Sequence, residues 1–182
     1  MGNEMMKDIS SVLVPREEIE KEVKRIGAAI SRDYAGKTPI LISVLKGAFI
    51  FMADLVRNIT VPCTLDFMSV SSYGKGTKTS GQVQIIKDLD TNIEGRDVII
   101  VEDILDSGVT LSYLIRLLQA RRPASLAVCA LFDKPARHKV EIRLAYKGIE
   151  VPNEFIVGYG LDYAEKYRNL PDVCVLKPEI YE

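Results

Sequence analysis

The sequence predicts an α/β fold, in which helices flank a mainly parallel central sheet. Apolar runs rich in Val and Ile alternate along the chain with apolar residues at helical spacing. This alternation is typical of parallel strands joined by helices. One run, residues 98–101, is apolar throughout, as expected of a strand that is covered on both faces. Several short strand-like segments near the C-terminus predict a small lobe beside the main sheet.

The first half of the chain predicts two helices and three strands. The first helix follows Pro15 and ends before Gly36. One face of this helix carries apolar residues at helical spacing, namely Ile19, Val23, Ile26 and Ile30. A second helix is predicted from the pattern of Phe49, Met52 and Val56. The strands are predicted at 40–44, 63–70 and 83–86, and a loop of small, polar and cationic residues is predicted at 71–81.

The second half begins with the strand at 98–101, followed by a predicted loop at 102–110. The next helix is predicted from apolar residues at helical spacing, which are Leu111, Leu114, Ile115 and Leu118. Four further strands are predicted at 126–131, 149–151, 155–157 and 173–176. The chain contains no repeats, low-complexity tracts or obvious linkers.

Composition limits the classes of function. The 182 residues include 47% hydrophobic ones, which is enough for one large core, and we expect a single domain over residues 1–182. With 24 basic and 25 acidic residues, the net charge of −1 gives no sign of a nucleic-acid or membrane partner. The N-terminus has no apolar signal-peptide core, so we expect a cytoplasmic protein.

Cysteine and histidine chemistry is not favoured by the sequence. Cys63, Cys129 and Cys174 are far apart and lie in or beside apolar segments, which favours small core residues over zinc ligands or disulfides. His138 is the only histidine and lies in a basic loop, so a catalytic triad is not expected. Carboxylates, lysine, arginine and a hard metal ion remain, and these suit phosphate and pyrophosphate substrates.

The segment VIIVEDILDSGVTL, at 98–111, concentrates such groups at the end of a strand. In open α/β sheets ligands bind at that edge. The backbone N–H groups of 107–110 and the positive end of the following helix suit a phosphate, whereas Glu102 and Asp103 suit vicinal hydroxyls or a metal ion. The alternative is that Asp103 or Asp106 only caps a helix, but capping needs one carboxylate rather than three.

This segment resembles the 5-phosphoribosyl-1-pyrophosphate (PRPP) signature of the type I phosphoribosyltransferase family. The signature turn of that family has Asp, Ser or Thr, Gly, a variable residue and Thr, and it is matched here by Asp106, Ser107, Gly108, Val109 and Thr110. The resemblance extends over nearly the whole chain and implies the type I phosphoribosyltransferase fold, with a small hood lobe beside the central sheet.

Two further segments resemble the branch of this family that uses 6-oxopurine bases. LKGAF, which begins at Leu45, resembles the pyrophosphate loop, where Lys46 and Gly47 face the leaving group. The resemblance implies that the peptide bond between Leu45 and Lys46 can be cis. SSYG, which contains Ser72 and Tyr73, resembles the start of the catalytic loop that closes over the site. Without the resemblance this segment would be interpreted as a surface hairpin.

Two segments nearer the C-terminus resemble the base-binding part of the same branch. In DKPARH, Lys134 matches the lysine that donates to the six-position oxo group of the purine. In FIVGYGLDYAEKYRNL, Phe155 matches the aromatic residue that stacks on the base, and the Ile156 backbone meets the exocyclic edge of the base. The resemblance further places Asp162 beside the base as a ligand of Mg²⁺, and Arg168 against pyrophosphate.

The resemblance implies transfer of the 5-phosphoribosyl group from PRPP to hypoxanthine, and also to guanine, giving IMP or GMP and pyrophosphate. Mg²⁺ would be held by Glu102, Asp103 and Asp162, and Asp106 would be the general base. A homodimer or homotetramer is implied as well. Xanthine-guanine specificity is an alternative, because the sequence identifies no residue that recognises the two-position of the base. A second alternative is a PRPP-sensing regulator that binds RNA or DNA. The near-neutral net charge of the chain disfavours this alternative.

Overall fold

The computed structural model describes residues 4–72 and 83–181. The strands of this part, in chain order, are β1 (Ile9–Val14), β2 (Ile40–Leu45), β3 (Thr64–Ser72), β4 (Val83–Lys87), β5 (Asp97–Leu105), β6 (Ser125–Asp133), β7 (Tyr146–Glu150), β8 (Ile156–Val157) and β9 (Val173–Leu176). The α-helices are α1 (Arg16–Asp33), α2 (Phe49–Val56), α3 (Val109–Gln119) and α4 (Pro178–Tyr181). Short 3₁₀ helices lie at Glu4–Asp8 and Pro135–Arg137.

The central sheet has six strands in the order β4-β3-β2-β5-β6-β7. Neighbouring strands from β3 to β7 are parallel, and only β4 is antiparallel, at one edge. The carboxyl ends of the parallel strands therefore lie along one edge of the sheet, where ligands bind in folds of this type.

Both faces of this sheet are covered by helices. Leu41 and Ile99 pack on one face with α1 and α2, whereas their neighbours Ile40 and Ile100 pack on the other face with α3. Because successive side chains of a strand point to opposite faces, the covered segments 40–42 of β2 and 98–101 of β5 must be apolar at every position, as they are. The predicted mainly parallel α/β sheet is confirmed.

Side-chain burial on the second helix and at the cysteines differs in part from expectation. On α2 the buried residues are Phe51, Met52 and Leu55, whereas Phe49 is 44% exposed, although its spacing had placed it on the inward face. The predicted core cysteines Cys129 and Cys174 are buried, but Cys63 is only partly buried. No helix in the described ranges is both long and apolar enough to span a membrane.

A three-stranded antiparallel sheet, β1-β9-β8, forms a small lobe, which we call the hood. The strands predicted at 155–157 and 173–176 belong to it, although β8 begins one residue later, at Ile156. Strand β1 was not predicted, because the polar pair Ser10 and Ser11 interrupts its apolar pattern. Its partner β9 lies at the other end of the chain, so no local sequence pattern predicts the pairing.

The expectation of a loop at 102–110 was wrong. Strand β5 continues to Leu105, so that Glu102 pairs with Ala130 and Leu105 pairs with Asp133 of β6. Pairing with a long parallel neighbour outweighs the low strand propensity of two successive acidic residues. The connection to α3 is therefore only residues 106–108, and both acidic residues are held on a strand.

Candidate active site

A cavity of about 530 Å³ lies between the carboxyl edge of the central sheet and the segment 153–168 of the hood side. Its lining residues from the sheet side are Lys46, Gly47, Asp103, Ile104, Asp106, Lys134 and Arg137. Those from the hood side are Asn153, Glu154, Phe155, Ile156, Leu161, Asp162, Arg168 and Tyr181. A smaller pocket of about 220 Å³ adjoins it and shares Ile104 and Asp106.

The two acidic residues near the end of β5 line different pockets. Glu102 lines the smaller pocket and Asp103 lines the larger one, as expected for successive residues of a strand. Burial, followed by the charge of Asp103, raises the pKa of Glu102 well above its ordinary value. Burial also raises the pKa of Asp103, and Asp162 adds to this effect, whereas Arg168 opposes it. Bound positive charge or hydroxyl donors would therefore stabilise the ionised forms of these two carboxyl groups.

The smaller pocket is suited to an anion. Ser107, Gly108 and Thr110 line it, and α3 begins at its edge with no side-chain cap. Gly108 has φ +77°, a conformation that glycine adopts without strain, and a Cβ there would lie 2.9 Å from the Val140 carbonyl oxygen. The first-turn N–H groups of a helix that lacks a cap favour a phosphate.

Asp106 lies where the two pockets meet. It lines both of them, and its carboxylate accepts a hydrogen bond from Nε of Arg137 at 3.1 Å. Its side chain is 42% exposed, so it is accessible to a ligand in either pocket. The contact with Arg137 could not be inferred from the signature, because Arg137 follows a different strand.

The loop after β2 approaches the acidic strand closely. The Leu45–Lys46 peptide bond is cis, as the resemblance implied. A Cβ at Gly47 would overlap the Asp103 carboxylate, and a Cβ at Gly160 would overlap the Gly47 carbonyl oxygen. The two glycines thus allow the loop backbone to lie between β5 and the hood side.

The cations at this end of the cavity are paired with hood-side carboxylates. Nζ of Lys46 lies 3.1 Å from Glu165. A guanidinium nitrogen of Arg168 lies 2.9 Å from Asp162, and another donates to the Gly160 carbonyl oxygen at 2.8 Å. Nε of Arg168 is buried and has no hydrogen-bond partner in the described structure. A bound anion is therefore able to satisfy a donor that the protein leaves unpaired.

The opposite end of the cavity presents one cation and one aromatic ring. Lys134 is only 7% exposed, and its Nζ donates to the Glu154 carbonyl oxygen at 2.8 Å. Burial lowers the pKa of Lys134, whereas the charge of Asp106 opposes this. Phe155 is 37% exposed, so it is not a core residue. Ile156 follows it on β8 and is buried.

The structure brings most predicted site residues to the two pockets. Val109 begins α3 beside the smaller pocket but does not line it. Ser72 ends β3, and its side chain lies outside the described structure, as does the whole of Tyr73. Sequence reasoning did not single out Arg137, Glu165 or Tyr181. Arg137 and Glu165 lie within the segments that carry the resemblance, but their partners Asp106 and Lys46 are distant in sequence.

The donor set agrees with a hard cation held together with a substrate. Asp103 and Asp162 line the same cavity, whereas Glu102 faces the smaller pocket. Among the described residues, no group of three His, Cys, Asp or Glu side chains is close enough to hold a metal by itself. Mg²⁺ usually binds through one or two carboxylates and the phosphates of a substrate, so carboxylates alone need not form a cage.

Comparison with known proteins gives a consistent family. A family model described as the phosphoribosyl transferase domain matches residues 12–164. The hypoxanthine-guanine phosphoribosyltransferase of Bacillus subtilis (strain 168) is 55% identical over 179 residues, covering 98% of this chain and 99% of that protein. That of Streptococcus thermophilus (strain CNRZ 1066) is 55% identical over 175 residues, with coverages of 96% and 97%.

A solved structure agrees with the sequence matches. The crystal structure of a hypoxanthine phosphoribosyltransferase from Staphylococcus aureus superposes with a TM-score of 0.96, at 48% identity, covering 100% of this chain and 99% of that one. The predicted type I phosphoribosyltransferase fold is thereby confirmed. Because the family model covers most of the chain and the relatives align almost end to end, this chain belongs to the phosphoribosyltransferase family.

Proposed function

We propose that this chain transfers the 5-phosphoribosyl group of PRPP to hypoxanthine and guanine, giving IMP or GMP and pyrophosphate. The main support is the single cavity in which Lys46, Arg168 and the acidic end of β5 face Lys134 and Phe155. Phosphate-binding groups thus share one chamber with a donor and a ring suited to a 6-oxopurine. The names of the Bacillus, Streptococcus and Staphylococcus relatives support the same activity.

The smaller pocket and the end of β5 would bind the ribose 5-phosphate part of PRPP. The N-terminus of α3, with Ser107 and Thr110, would hold the 5-phosphate. Glu102 and Asp103 would accept hydrogen bonds from the ribose hydroxyls. Burial raises the pKa of both carboxyl groups, so hydrogen bonds from the ribose hydroxyls would stabilise their ionised forms.

The pyrophosphate would lie between Lys46, the Gly47 amide and Arg168. Its negative charge exceeds that of one carboxylate, so it can replace Glu165 and Asp162 as the partner of these two cations. Mg²⁺ would be held there by Asp103 and Asp162, with Glu102 behind them, and would neutralise charge on the leaving group. The carboxylates released from the cations would then be free for that role.

At the other end, the purine would stack on Phe155 and accept a hydrogen bond from Lys134 at its six-position oxygen. The Ile156 backbone would meet the exocyclic edge of the base, close to Asp162. Asp106 would take the proton from the imidazole ring of the purine as the glycosidic bond forms. Its contact with Arg137 keeps the carboxylate in place at the junction of the two pockets. Ser72 and Tyr73 would help to exclude water from the developing ribose cation.

We further propose a cytoplasmic homodimer or homotetramer with one catalytic domain in each chain. The family resemblance implies self-association, and large apolar side chains are exposed in one chain, at Phe49, Leu65 and Ile86. Light scattering coupled to gel filtration would test it, and a monomer at micromolar concentration would contradict it.

The catalytic proposal is tested by one parallel assay. Purified protein is incubated with PRPP and Mg²⁺ and with hypoxanthine, guanine, xanthine or adenine. We expect turnover with hypoxanthine and guanine and very little with adenine, because adenine presents an amino donor to Lys134. Preference for xanthine would instead support xanthine-guanine specificity, and no turnover with any base would overturn the proposed function.

A further inference from the structure

Phe155 is held between two tyrosine side chains. The rings of Phe155 and Tyr181 are stacked, with centroids 4.5 Å apart and planes 19° apart. Tyr163 meets the same phenylalanine edge-on, with centroids 5.5 Å apart and planes 89° apart. Both are favourable geometries for aromatic pairs. The orientation of the Phe155 ring is thus determined by contacts with two other rings.

The contact with Tyr181 is built by the C-terminal part of the hood. The Leu176 N–H at the end of β9 donates to the Phe155 carbonyl oxygen at 2.9 Å. The following residue, Lys177, donates its N–H to the Asp8 carbonyl oxygen at 2.9 Å, which fixes the start of α4. This helix then places Tyr181 against Phe155 and at the wall of the cavity.

Phe155 keeps part of its surface exposed at the wall of the cavity. An aromatic ring has two faces, and Tyr181 covers one of them. Phe155 nevertheless remains 37% exposed and lines the cavity together with Ile104 and Lys134. A planar base in this cavity can therefore stack on the remaining face while its edge meets Lys134. The base, Phe155 and Tyr181 would then form a stack of three rings.

We propose that Tyr181 is a positioning residue for the purine base and acts by fixing the plane of the Phe155 ring. This inference rests on the proposed function, since it requires a purine at Phe155. Without Tyr181 the Phe155 ring has one fewer contact in the free enzyme, and the base must order it on binding. The cost should appear in base binding rather than in PRPP binding, because the ring of Tyr181 stacks on Phe155.

The test compares Tyr181→Leu, Tyr181→Phe and the control Ile180→Ala. Ile180 lies on the same helix and, like Tyr181, packs against the apolar cluster of the hood, so Ile180→Ala controls for a loosening of α4. In Tyr181→Leu we expect the KM for hypoxanthine to rise about three- to tenfold, which corresponds to one aromatic pair, with kcat and the KM for PRPP within about twofold. Tyr181→Phe keeps the ring and should behave like the wild type.

Three results would overturn the proposal. A lower KM for hypoxanthine in Tyr181→Leu would mean that Tyr181 occupies the base site itself. An unchanged KM would mean that the stack has no role in binding. An equal rise in Ile180→Ala would mean that any loosening of α4 has this effect. Failure of the proposed function is distinct, because the wild type would then convert neither hypoxanthine nor guanine.

A second variant tests the contact without catalysis and with the ring retained. The chain contains no tryptophan, so Tyr181→Trp introduces a single reporter beside Phe155. We expect its fluorescence to change on titration with IMP and to stay constant with ribose 5-phosphate, which lacks the base. Equal responses to the two ligands, or none to IMP, would contradict a role of this position in base binding.

Discussion

The floor of the cavity and its hood side hold their charges in different ways. The floor, by which we mean the ends of β5 and β6 with the turn at 106–108, presents Glu102 and Asp103 without an ion-pair partner in the described ranges. On the hood side, Arg168 is paired with Asp162 and Glu165. Among the described residues, Glu102 and Asp103 thus lack a cationic partner although Asp106 on the same floor is paired with Arg137, whereas Arg168 and its carboxylates pair with one another.

This difference suggests how the site works. Uncompensated carboxylates on a rigid strand favour binding of a cation and of hydroxyl donors, at a cost to the stability of the free protein. Exposed ion pairs contribute only about 0–1 kcal/mol each, so an incoming phosphate group exchanges them at little cost. Lys46 and Glu165 are both 65% exposed at their side chains and fit this description. The Arg168–Asp162 pair is less exposed, at 19% and 28%, so the Lys46–Glu165 pair should exchange partners more readily.

The largest effect should come from removing divalent cations, because Glu102, Asp103 and Asp162 are proposed to hold Mg²⁺ against the leaving pyrophosphate. We expect activity to disappear in excess EDTA and to return when Mg²⁺ or Mn²⁺ is added. The measurement is the initial rate with PRPP and hypoxanthine, with a matched concentration of NaCl as the control. Full turnover in excess EDTA would show that the carboxylates of the floor act without a metal.

The next largest effect should come from Asp106→Asn, which tests the floor as the source of the catalytic base. The amide is nearly isosteric and can still accept a hydrogen bond from Arg137, so the fold and the KM for PRPP should change little. We expect kcat to fall about 10²-fold or more, as for loss of a general base. The exposed carboxylate of Asp90 provides the control variant Asp90→Asn. Near-normal turnover in Asp106→Asn would place the base elsewhere.

Lys134→Gln tests whether the Lys134 side chain or the backbone of the hood side recognises the base. Lys134 follows β6, and its Nζ contacts the Glu154 carbonyl oxygen. We expect kcat/KM for hypoxanthine to fall by about 10²-fold, and its ratio to that for adenine to shrink at least tenfold, since a buried donor gives stronger discrimination than shape. Lys139→Gln, in the same segment but exposed, is the control. An unchanged ratio would assign base specificity to the backbone near Ile156.

The floor could be predicted from the sequence, because its groups follow one another along a strand, a turn and a helix. Residues 98–111 contain the apolar run, the carboxylates and the glycine of the turn in one continuous pattern. Even there, the end of β5 was misplaced, because pairing of Glu102 with Ala130 depends on a neighbouring strand. The chemical groups of this segment could thus be predicted from the sequence, whereas the end of the strand that carries them depends on tertiary pairing.

The hood side was accessible only through resemblance. Residues 159–167 include non-glycine residues with positive φ, at Tyr159, Ala164, Glu165 and Tyr167. Such conformations have no reliable sequence signal in residues other than Gly, Asn and Asp. The contact of Tyr181 with Phe155 depends in turn on β9, whose partners lie at both ends of the chain. No local sequence pattern predicts the contact of Tyr181 with Phe155.

The smallest expected effect concerns stability and separates the two regions directly. Folding raises the pKa of Glu102 above its ordinary value of 4.5 by burial and by the charge of Asp103. In that situation the folded state holds a proton that the unfolded state has released, so stability falls as the pH rises from about 4.5 through the folded pKa. Glu102→Gln removes the ionisable group and should stabilise the metal-free protein at pH 8, although it weakens the binding of PRPP.

We expect a higher Tm than that of the wild type at pH 8, measured by calorimetry in EDTA. The gain should diminish as the pH is lowered towards 4.5, because the wild-type carboxyl then binds its proton. The exposed residue Glu141 gives the control Glu141→Gln, which should change the free energy of unfolding by less than about 0.5 kcal/mol. A destabilised Glu102→Gln at pH 8 would mean that the carboxylate is compensated in the free protein. The contrast between an uncompensated floor and a self-paired hood side would then fail.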